Sequence, residues 1–290
     1  MGTINAQEDI RAWFNQPIRR TLSDGDLLES FHLQHPSKVF LKNLPIGASV
    51  LDIGAGDGSL SIFKRWPSPA RPDLRLYAFS LAKGEKFDDY DGYEIGDWNL
   101  TKPMFDNMRF DAIMCVNFIE HIDDPAGLIR WVAEHLNPGG HVYFEWPTDA
   151  SRFCPRLADL DAMGFGCITG NYFDDRTHRK WLPSARFVRR KARRSGLSIV
   201  SAGVVSMPLM EDELLGHFRD TGDIVSLQFA YWLKTGWVQF LTATHRQRML
   251  GTWFQRMKMI LRRPPHQAAL AADLRARASA GRRLEAGPVK

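Results

Sequence analysis

A short apolar segment that leads straight into a glycine-rich loop constrains the fold of this chain more than any other feature. Residues 49–53 (SVLDI) predict a buried strand, and Gly54, Gly56 and Gly58 follow it at alternate positions. Glycine lets the backbone turn sharply and lets a ligand approach the main chain, while free N–H groups at the start of the next helix attract an anion. The pattern therefore predicts an anion-binding strand–loop–helix unit, and a tight turn without a ligand is the structural alternative.

Strand and helix patterns then alternate along the chain. Five further apolar segments predict strands, at residues 74–79, 92–96, 110–116, 140–146 and 197–205. Helical patterns occur between them, at residues 59–64, 124–136 and 184–195. This alternation predicts an α/β fold with a parallel sheet and right-handed crossovers. From about Leu209 the strand signal disappears: residues 225–241 follow the spacing of one long helix, and a second helical stretch follows at 249–260.

Composition narrows the class of protein. The 290 residues include 44% hydrophobic and 24% charged residues, which is typical of a globular protein. A net charge of +5 does not by itself indicate nucleic-acid binding. The three cysteines, Cys115, Cys154 and Cys167, lack metal-ligand spacing, which favours reduced thiols. We expect no signal peptide and no membrane-spanning segment, and therefore a cytoplasmic location.

Four segments, in order, resemble the motifs of one enzyme family. Residues 50–58 (VLDIGAGDG) closely resemble the first motif of class I S-adenosylmethionine-dependent methyltransferases. Residues 94–98 (EIGDW), 110–122 (FDAIMCVNFIEHI) and 136–142 (LNPGGHV) are similar to its later motifs. The resemblance covers roughly residues 45–205. It implies a Rossmann-like sheet of seven strands, mostly parallel with the last strand antiparallel, flanked by helices and followed by a helical C-terminal extension.

The same resemblance implies S-adenosylmethionine as cofactor and assigns its site position by position. Residues at the first strand would border the methionine part of the cofactor, the segment after the third strand would face adenine, and the end of the fourth strand would lie near the methionine or the reacting methyl. The implied cofactor-binding residues are Asp52, Gly54, Ala55, Gly56, Ser80, Asp97, Trp98 and Asn117.

Ser80 is a departure from the family pattern. The family usually has an acidic residue at the end of the second strand, where it accepts hydrogen bonds from both ribose hydroxyls. A neutral hydroxyl makes one such bond, and a weaker one. Glu85 or Asp88 could supply the missing carboxylate from the next turn. Alternatively, the chain has lost transfer activity and serves as a binding or assembly module.

Two histidines are the candidate catalytic residues. Methyl transfer to an alcohol or phenol requires a group that removes a proton, and His121 and His178 lie where the acceptor is expected. The Glu120–His121 step also resembles one in ubiquinone-pathway O-methyltransferases and in 2′-O-methyltransferases of small RNA 3′ ends, some of which hold a divalent metal. Asn117 stands where the metal-dependent pattern has a glutamate, so we expect no metal; a metal-ligand role and a structural role remain alternatives for both histidines.

Two predicted surfaces indicate what this chain could bind. Arginines crowd the predicted helix at 184–195, where a solvated face is the default and an acidic acceptor, nucleic acid or anionic membrane are alternatives. The aromatic stripe at 229–241 favours core packing or a dimer contact, with a lid over the acceptor or membrane docking as alternatives. We expect a small-molecule acceptor, acidic or saccharide, and favour neither nucleic acid nor a membrane; a homodimer would form through the C-terminal helices.

These patterns divide the chain into four parts. An N-terminal helical segment (1–44) would precede the cofactor-binding domain (45–208). A helical lid or dimerisation extension (209–263) and a flexible basic tail (264–290) would follow. The predicted activity is O-methylation of a small-molecule or saccharide acceptor, with a metal-dependent RNA 2′-O-methyltransferase as a further alternative.

Overall fold

Seven strands form one sheet in the computed structural model, which describes residues 7–18 and 20–246. The strands are β1 (Ser49–Ile53), β2 (Arg75–Ser80), β3 (Gly92–Ile95), β4 (Phe110–Val116), β5 (Leu136–Pro147), β6 (Leu197–Val204) and β7 (Val238–His245). Their order across the sheet is β3-β2-β1-β4-β5-β7-β6. From β3 through β2, β1 and β4 to β5, each strand pairs in parallel with the next. Strand β7 is antiparallel to both of its neighbours, β5 and β6. The predicted α/β sheet with an antiparallel last strand is confirmed.

Eight α-helices surround the sheet. They are α1 (Gln7–Asn15), α2 (Asp24–Gln34), α3 (Pro36–Lys42), α4 (Pro125–His135), α5 (Leu157–Ala162), α6 (Ala185–Arg194), α7 (Pro208–Thr221) and α8 (Ile224–Thr235), within the described residues. Short 3-10 turns connect several of them; the segment after the glycine loop, Ser59–Lys64, is one of these rather than an α-helix. Within the described residues, none of the helices is both long and apolar enough to cross a bilayer.

The predicted long helix through residue 241 is wrong in its second half. Helix α8 ends at Thr235, and Gly236 adopts the left-handed conformation (φ 65°) that closes a helix. The chain then enters β7, where it lies between β5 and β6. Phe240 and Leu241 therefore belong to a central strand, where both faces are covered and the alternation typical of a half-buried strand is weak. The predicted helix at 249–260 and the tail at 264–290 lie outside the described residues.

Three apolar clusters hold the helices in place. One face of the sheet packs against α4 and α6 through residues such as Ile129 and Val188. The opposite face packs against α3 and the 3-10 turn at Ser59–Lys64, with Phe63 fully buried. The third cluster joins α1 and α2 to α7 and α8. The N-terminal helices and the helices inserted between β6 and β7 thus pack together beside the sheet.

Candidate functional site

The loop after β1 requires glycine for steric reasons. Gly54 has φ +80°, and a Cβ built there would lie 2.6 Å from the ring of Phe118. Its amide donates to the carbonyl of Phe79 on β2 at 2.8 Å, which fixes the turn. The amides of Gly56 and Asp57 donate to no acceptor among the described residues. Two backbone donors are therefore available to an anion, which is the chemistry that the sequence pattern predicts.

A cavity of about 560 Å³ opens beside this loop, at the carboxyl ends of the strands. Two separate parts of the chain form its walls. The first is the strand-end set, with Gly54, Gly56, Ser80, Asp97 and Trp98. The second comprises His121 and the segment that follows β5, with Arg176, Thr177 and Arg179. The tertiary structure therefore brings one of the candidate histidines to the same cavity as most of the implied cofactor residues.

Ser80 is the polar side chain that β2 contributes to this cavity. Asp88 pairs instead with Lys83 at 2.7 Å, and neither Asp88 nor Glu85 lines the cavity. At the end of β3, one carboxylate oxygen of Asp97 accepts from the amide of Asn99 at 2.8 Å, which fixes that side chain. No carboxylate replaces the missing acid at the end of β2 in the described part of the chain.

Asp52, Ala55 and Asn117 lie behind the cavity wall rather than on it. Asp52 accepts from the hydroxyl of Tyr90 at 3.0 Å, yet burial raises the pKa of its carboxyl to about 7. Asn117 adopts a left-handed backbone (φ 47°) at the end of β4, and its amide donates to the carbonyl of Glu145. Its buried Oδ1 has no partner among the described residues. Backbone strain and an unsatisfied buried acceptor occur together at many functional sites, which makes Asn117 a candidate ligand contact.

A buried cluster of charged residues beside Asp52 was not predicted from the sequence. Burial lowers the pKa of the Lys38 ammonium, while the nearby carboxylates of Glu145 and Asp52 oppose that shift. Burial also raises the pKa of Glu145 to about 7, although the hydroxyl of Tyr143 donates to it. Lys38 comes from α3 and Glu145 from β5, so their spacing in the sequence carries no signal of their proximity.

The two candidate histidines lie side by side, with ring centroids 4.8 Å apart. The Nδ1–H of His178 donates to the carbonyl of Tyr172 at 2.6 Å, and its Nε2 lies 3.8 Å from Oδ2 of Asp175. The Nδ1 of His121 lies 2.9 Å from the hydroxyl of Thr177. Burial, with a further contribution from His178, lowers the pKa of His121. Both rings are therefore oriented, and His121 is neutral at pH 7.

Glu120 adjoins the histidine pair in an unusual state. It is 1% exposed, and neither carboxylate oxygen has a hydrogen-bond partner among the described residues. Burial raises its pKa to about 8. Glu120, His121 and His178 each offer one possible metal-ligand atom, and these three atoms all lie within 4.8 Å of one another. Two imidazoles and a carboxylate suit Zn²⁺, Fe²⁺ or Mn²⁺, so these three residues could hold a divalent metal.

A second cavity, of about 800 Å³, meets the glycine loop at Asp57. Its lining is mainly apolar and comes from α2, α7, α8 and the 3-10 turn after the loop. Phe31 and Phe229 pack against each other in its wall, and Lys38 reaches it from α3. Its size is that of a small-molecule pocket.

Comparisons with known proteins identify the family of this chain. A sequence family described as a methyltransferase domain matches residues 31–202. The ubiquinone biosynthesis O-methyltransferase of Alkalilimnicola ehrlichii is 30% identical over 34% of this chain and 41% of its own length. The corresponding enzyme of an Azoarcus species is 25% identical over 62% and 77% of the two chains. The chain thus spans about two fifths of the first relative. A Haloferax volcanii methyltransferase, solved with the Trm112 activator, is 16% identical with a TM-score of 0.48 and covers 81% and 97% of the two chains.

Proposed function

This chain belongs to the methyltransferase-domain family, and we propose that it methylates an oxygen of a small-molecule or saccharide acceptor. S-adenosylmethionine is the methyl donor. The observation that carries the proposal is the position of His121. Its ring lies on the wall of the cavity that Gly54 and Gly56 close from the other side. A neutral base and a cofactor loop thus border the same space.

The residues around the loop fit the methionine part of the cofactor. The free amides of Gly56 and Asp57 would donate to its carboxylate, and the Lys38 ammonium would balance that charge. The unpartnered Oδ1 of Asn117 would accept from the ammonium group. Ser80 would make a single hydrogen bond to the ribose.

The chemistry requires the chain to orient the acceptor and to take one proton. The cofactor supplies an electrophilic methyl group on a sulfonium. When bound, it would give that methyl to the acceptor oxygen and leave as S-adenosylhomocysteine. The hydroxyl proton passes to Nε2 of His121, and His178, which packs against the His121 ring outside the cavity lining, positions that base. The lowered pKa of His121 keeps the base form present at neutral pH.

The charge on the cavity wall favours an acidic acceptor. Arg176 is exposed and forms no ion pair with any described residue, whereas Arg179 pairs with Asp123 at 2.9 Å. A guanidinium without a carboxylate partner at the mouth of a cavity binds phosphate or carboxylate groups. This supports a phosphorylated sugar or an aromatic acid as acceptor.

The test separates catalysis from cofactor binding. H121A and H178A are assayed for release of S-adenosylhomocysteine with a panel of phenolic acids and sugar phosphates, and calorimetry measures S-adenosylmethionine affinity. We expect H121A to lose roughly 10²–10⁴-fold in kcat with an unchanged cofactor affinity. H141A, within strand β5 and outside the lining of the cavity, is the matched control. Full activity in both H121A and H178A would reject the proposed roles, and the absence of cofactor binding in the wild-type chain would favour a binding module.

A second candidate, a metal-assisted transfer, is favoured by the unpartnered carboxylate of Glu120. A divalent ion would be held by Glu120, His121 and His178 and would lower the pKa of the acceptor hydroxyl. After treatment with EDTA, Zn²⁺ or Mn²⁺ should then raise the melting temperature of the wild-type chain but not of E120Q. Equal shifts in both proteins would exclude this site. A metal requirement together with methylation of RNA, rather than of small acceptors, would indicate the RNA-methyltransferase alternative.

A further inference from the structure

Helix α6 presents a surface of five arginines that the methyl-transfer site does not use. Val188 and Ala192 bury one side of the helix against the sheet, which leaves the arginines on the opposite side. The five line one surface depression, and we call them the arginine face: Arg186, Arg189, Arg190, Arg193 and Arg194. All are exposed, and none forms an ion pair or a side-chain hydrogen bond with any residue that the structure describes.

This arrangement is electrostatically unfavourable in isolation. Guanidinium groups remain charged at any physiological pH, and neighbours around one depression lie within a Debye length of one another. Among the described residues no carboxylate forms an ion pair with any of these guanidinium groups. An external anionic surface would do so, since several phosphates could each accept hydrogen bonds from one guanidinium.

Apolar side chains beside the arginine face indicate which anionic surface fits. Trp181 is 49% exposed and packs edge-on against Phe187, with ring centroids 4.8 Å apart. Viewed down the axis of α6, Phe187 lies next to Arg194 and Arg190. The next strand along the chain, β6, is the edge of the sheet and leaves the aliphatic side chains of Val200 and Val204 66% and 44% exposed. A nucleic acid backbone offers aliphatic side chains nothing, whereas the headgroup region of a bilayer accepts arginine, tryptophan and aliphatic groups together.

We propose that the arginine face docks this protein on an anionic membrane surface, with Trp181 among the lipid headgroups. Helix α6 begins at the carboxyl edge of the sheet, where Arg176 and Arg179 line the cofactor cavity. Docking along α6 would bring that edge of the sheet toward the bilayer. The consequence, that the acceptor is a molecule dissolved in or attached to the membrane, rests on the proposed function; the docking itself does not.

Vesicle sedimentation tests the docking. The full chain is mixed with vesicles of phosphatidylglycerol and phosphatidylcholine, or of phosphatidylcholine alone. We expect binding to the anionic vesicles only, weakened by salt. Each arginine near an anionic bilayer contributes about fivefold in affinity, so R189Q/R193Q should bind roughly 25-fold more weakly. The control R11Q/R75Q changes the net charge equally, at exposed positions on α1 and at the start of β2, and should bind as the wild type does.

Two further measurements address the orientation and the competing partner. Lipids brominated near the headgroup should quench part of the tryptophan fluorescence of the wild type, and W181F should lose that part. A fluorescent oligouridine measures nucleic-acid binding by anisotropy. Equal binding to neutral vesicles, no effect of R189Q/R193Q, or an effect of that pair on oligouridine alone would each overturn the proposal. Calorimetry with S-adenosylmethionine distinguishes a failure of the docking proposal from a failure of the proposed function. If docking fails but cofactor binding is intact, the proposed function still stands.

Discussion

The buried carboxyl of Glu120 should make the free energy of unfolding of this chain depend on pH, and the substitution Glu120→Gln should remove that dependence. Both of its oxygens lack a partner among the described residues, and burial raises its pKa from 4.5 to about 8. In the unfolded chain the group ionises near pH 4.5. Protonation therefore favours the folded state: the stabilisation is fully present below pH 4.5 and is lost as pH rises through 8.

The magnitude follows from the shift. Replacing Glu120 with glutamine keeps the shape of the protonated acid and removes the ionisation. Relative to the wild type, E120Q should be unchanged at pH 4, more stable by about 3 kcal/mol at pH 7, and by about 5 kcal/mol above pH 9, where the difference levels off. Asp52 also has a raised pKa, but it titrates in both proteins and cancels in the comparison. The charge of Glu145 contributes to the raised pKa of Glu120, so the predicted difference belongs to that pair of carboxyls.

Urea unfolding at pH 5, 7 and 9, with EDTA present, measures these differences. In thermal unfolding at pH 7, the melting temperature of E120Q should exceed that of the wild type by roughly 6–12 °C. E134Q, an exposed position on α4, is the matched control and should show no pH-dependent difference. A difference between E120Q and the wild type that is the same at pH 5 and pH 9, or destabilisation of E120Q at every pH, would refute the reasoning.

Three further changes probe the cofactor loop and its surroundings. G54A should destabilise the fold by about 1–3 kcal/mol and abolish cofactor binding because its Cβ would meet Phe118, whereas G25A, with open space around it, should not lower the melting temperature. S80D should tighten S-adenosylmethionine binding about five- to tenfold in calorimetry, since a carboxylate accepts stronger hydrogen bonds than a hydroxyl does; unchanged affinity would place the ribose elsewhere. K38M should lower the affinity for S-adenosylmethionine about tenfold or more, and the affinity for the product S-adenosylhomocysteine, which keeps the same carboxylate, should fall equally. A loss of affinity for one of the two alone would contradict a role of Lys38 at that carboxylate.

The sequence by itself determined the features that local chemistry specifies. An apolar segment predicts a buried strand, and Gly54, Gly56 and Gly58 permit the positive φ angles of the turn that follows it, so the strand and the turn followed from the pattern. The alternation of strands and helices up to β6 also predicted the parallel sheet, because each element carries its own periodicity.

The tertiary structure decided what depends on burial and on contacts between distant segments. β7 escaped prediction because its first apolar residues continue the helical spacing of α8, and its mixed sequence (VQFLTATH) shows no clear strand alternation. The pairing of His121 with His178 joins a turn after β4 to a segment after β5, and the meeting of Lys38 with Glu145 joins α3 to β5. Sequence spacing does not encode such distances. Nor does it encode the desolvation that raises the pKa of Glu120, since that shift arises only when the surrounding core excludes water.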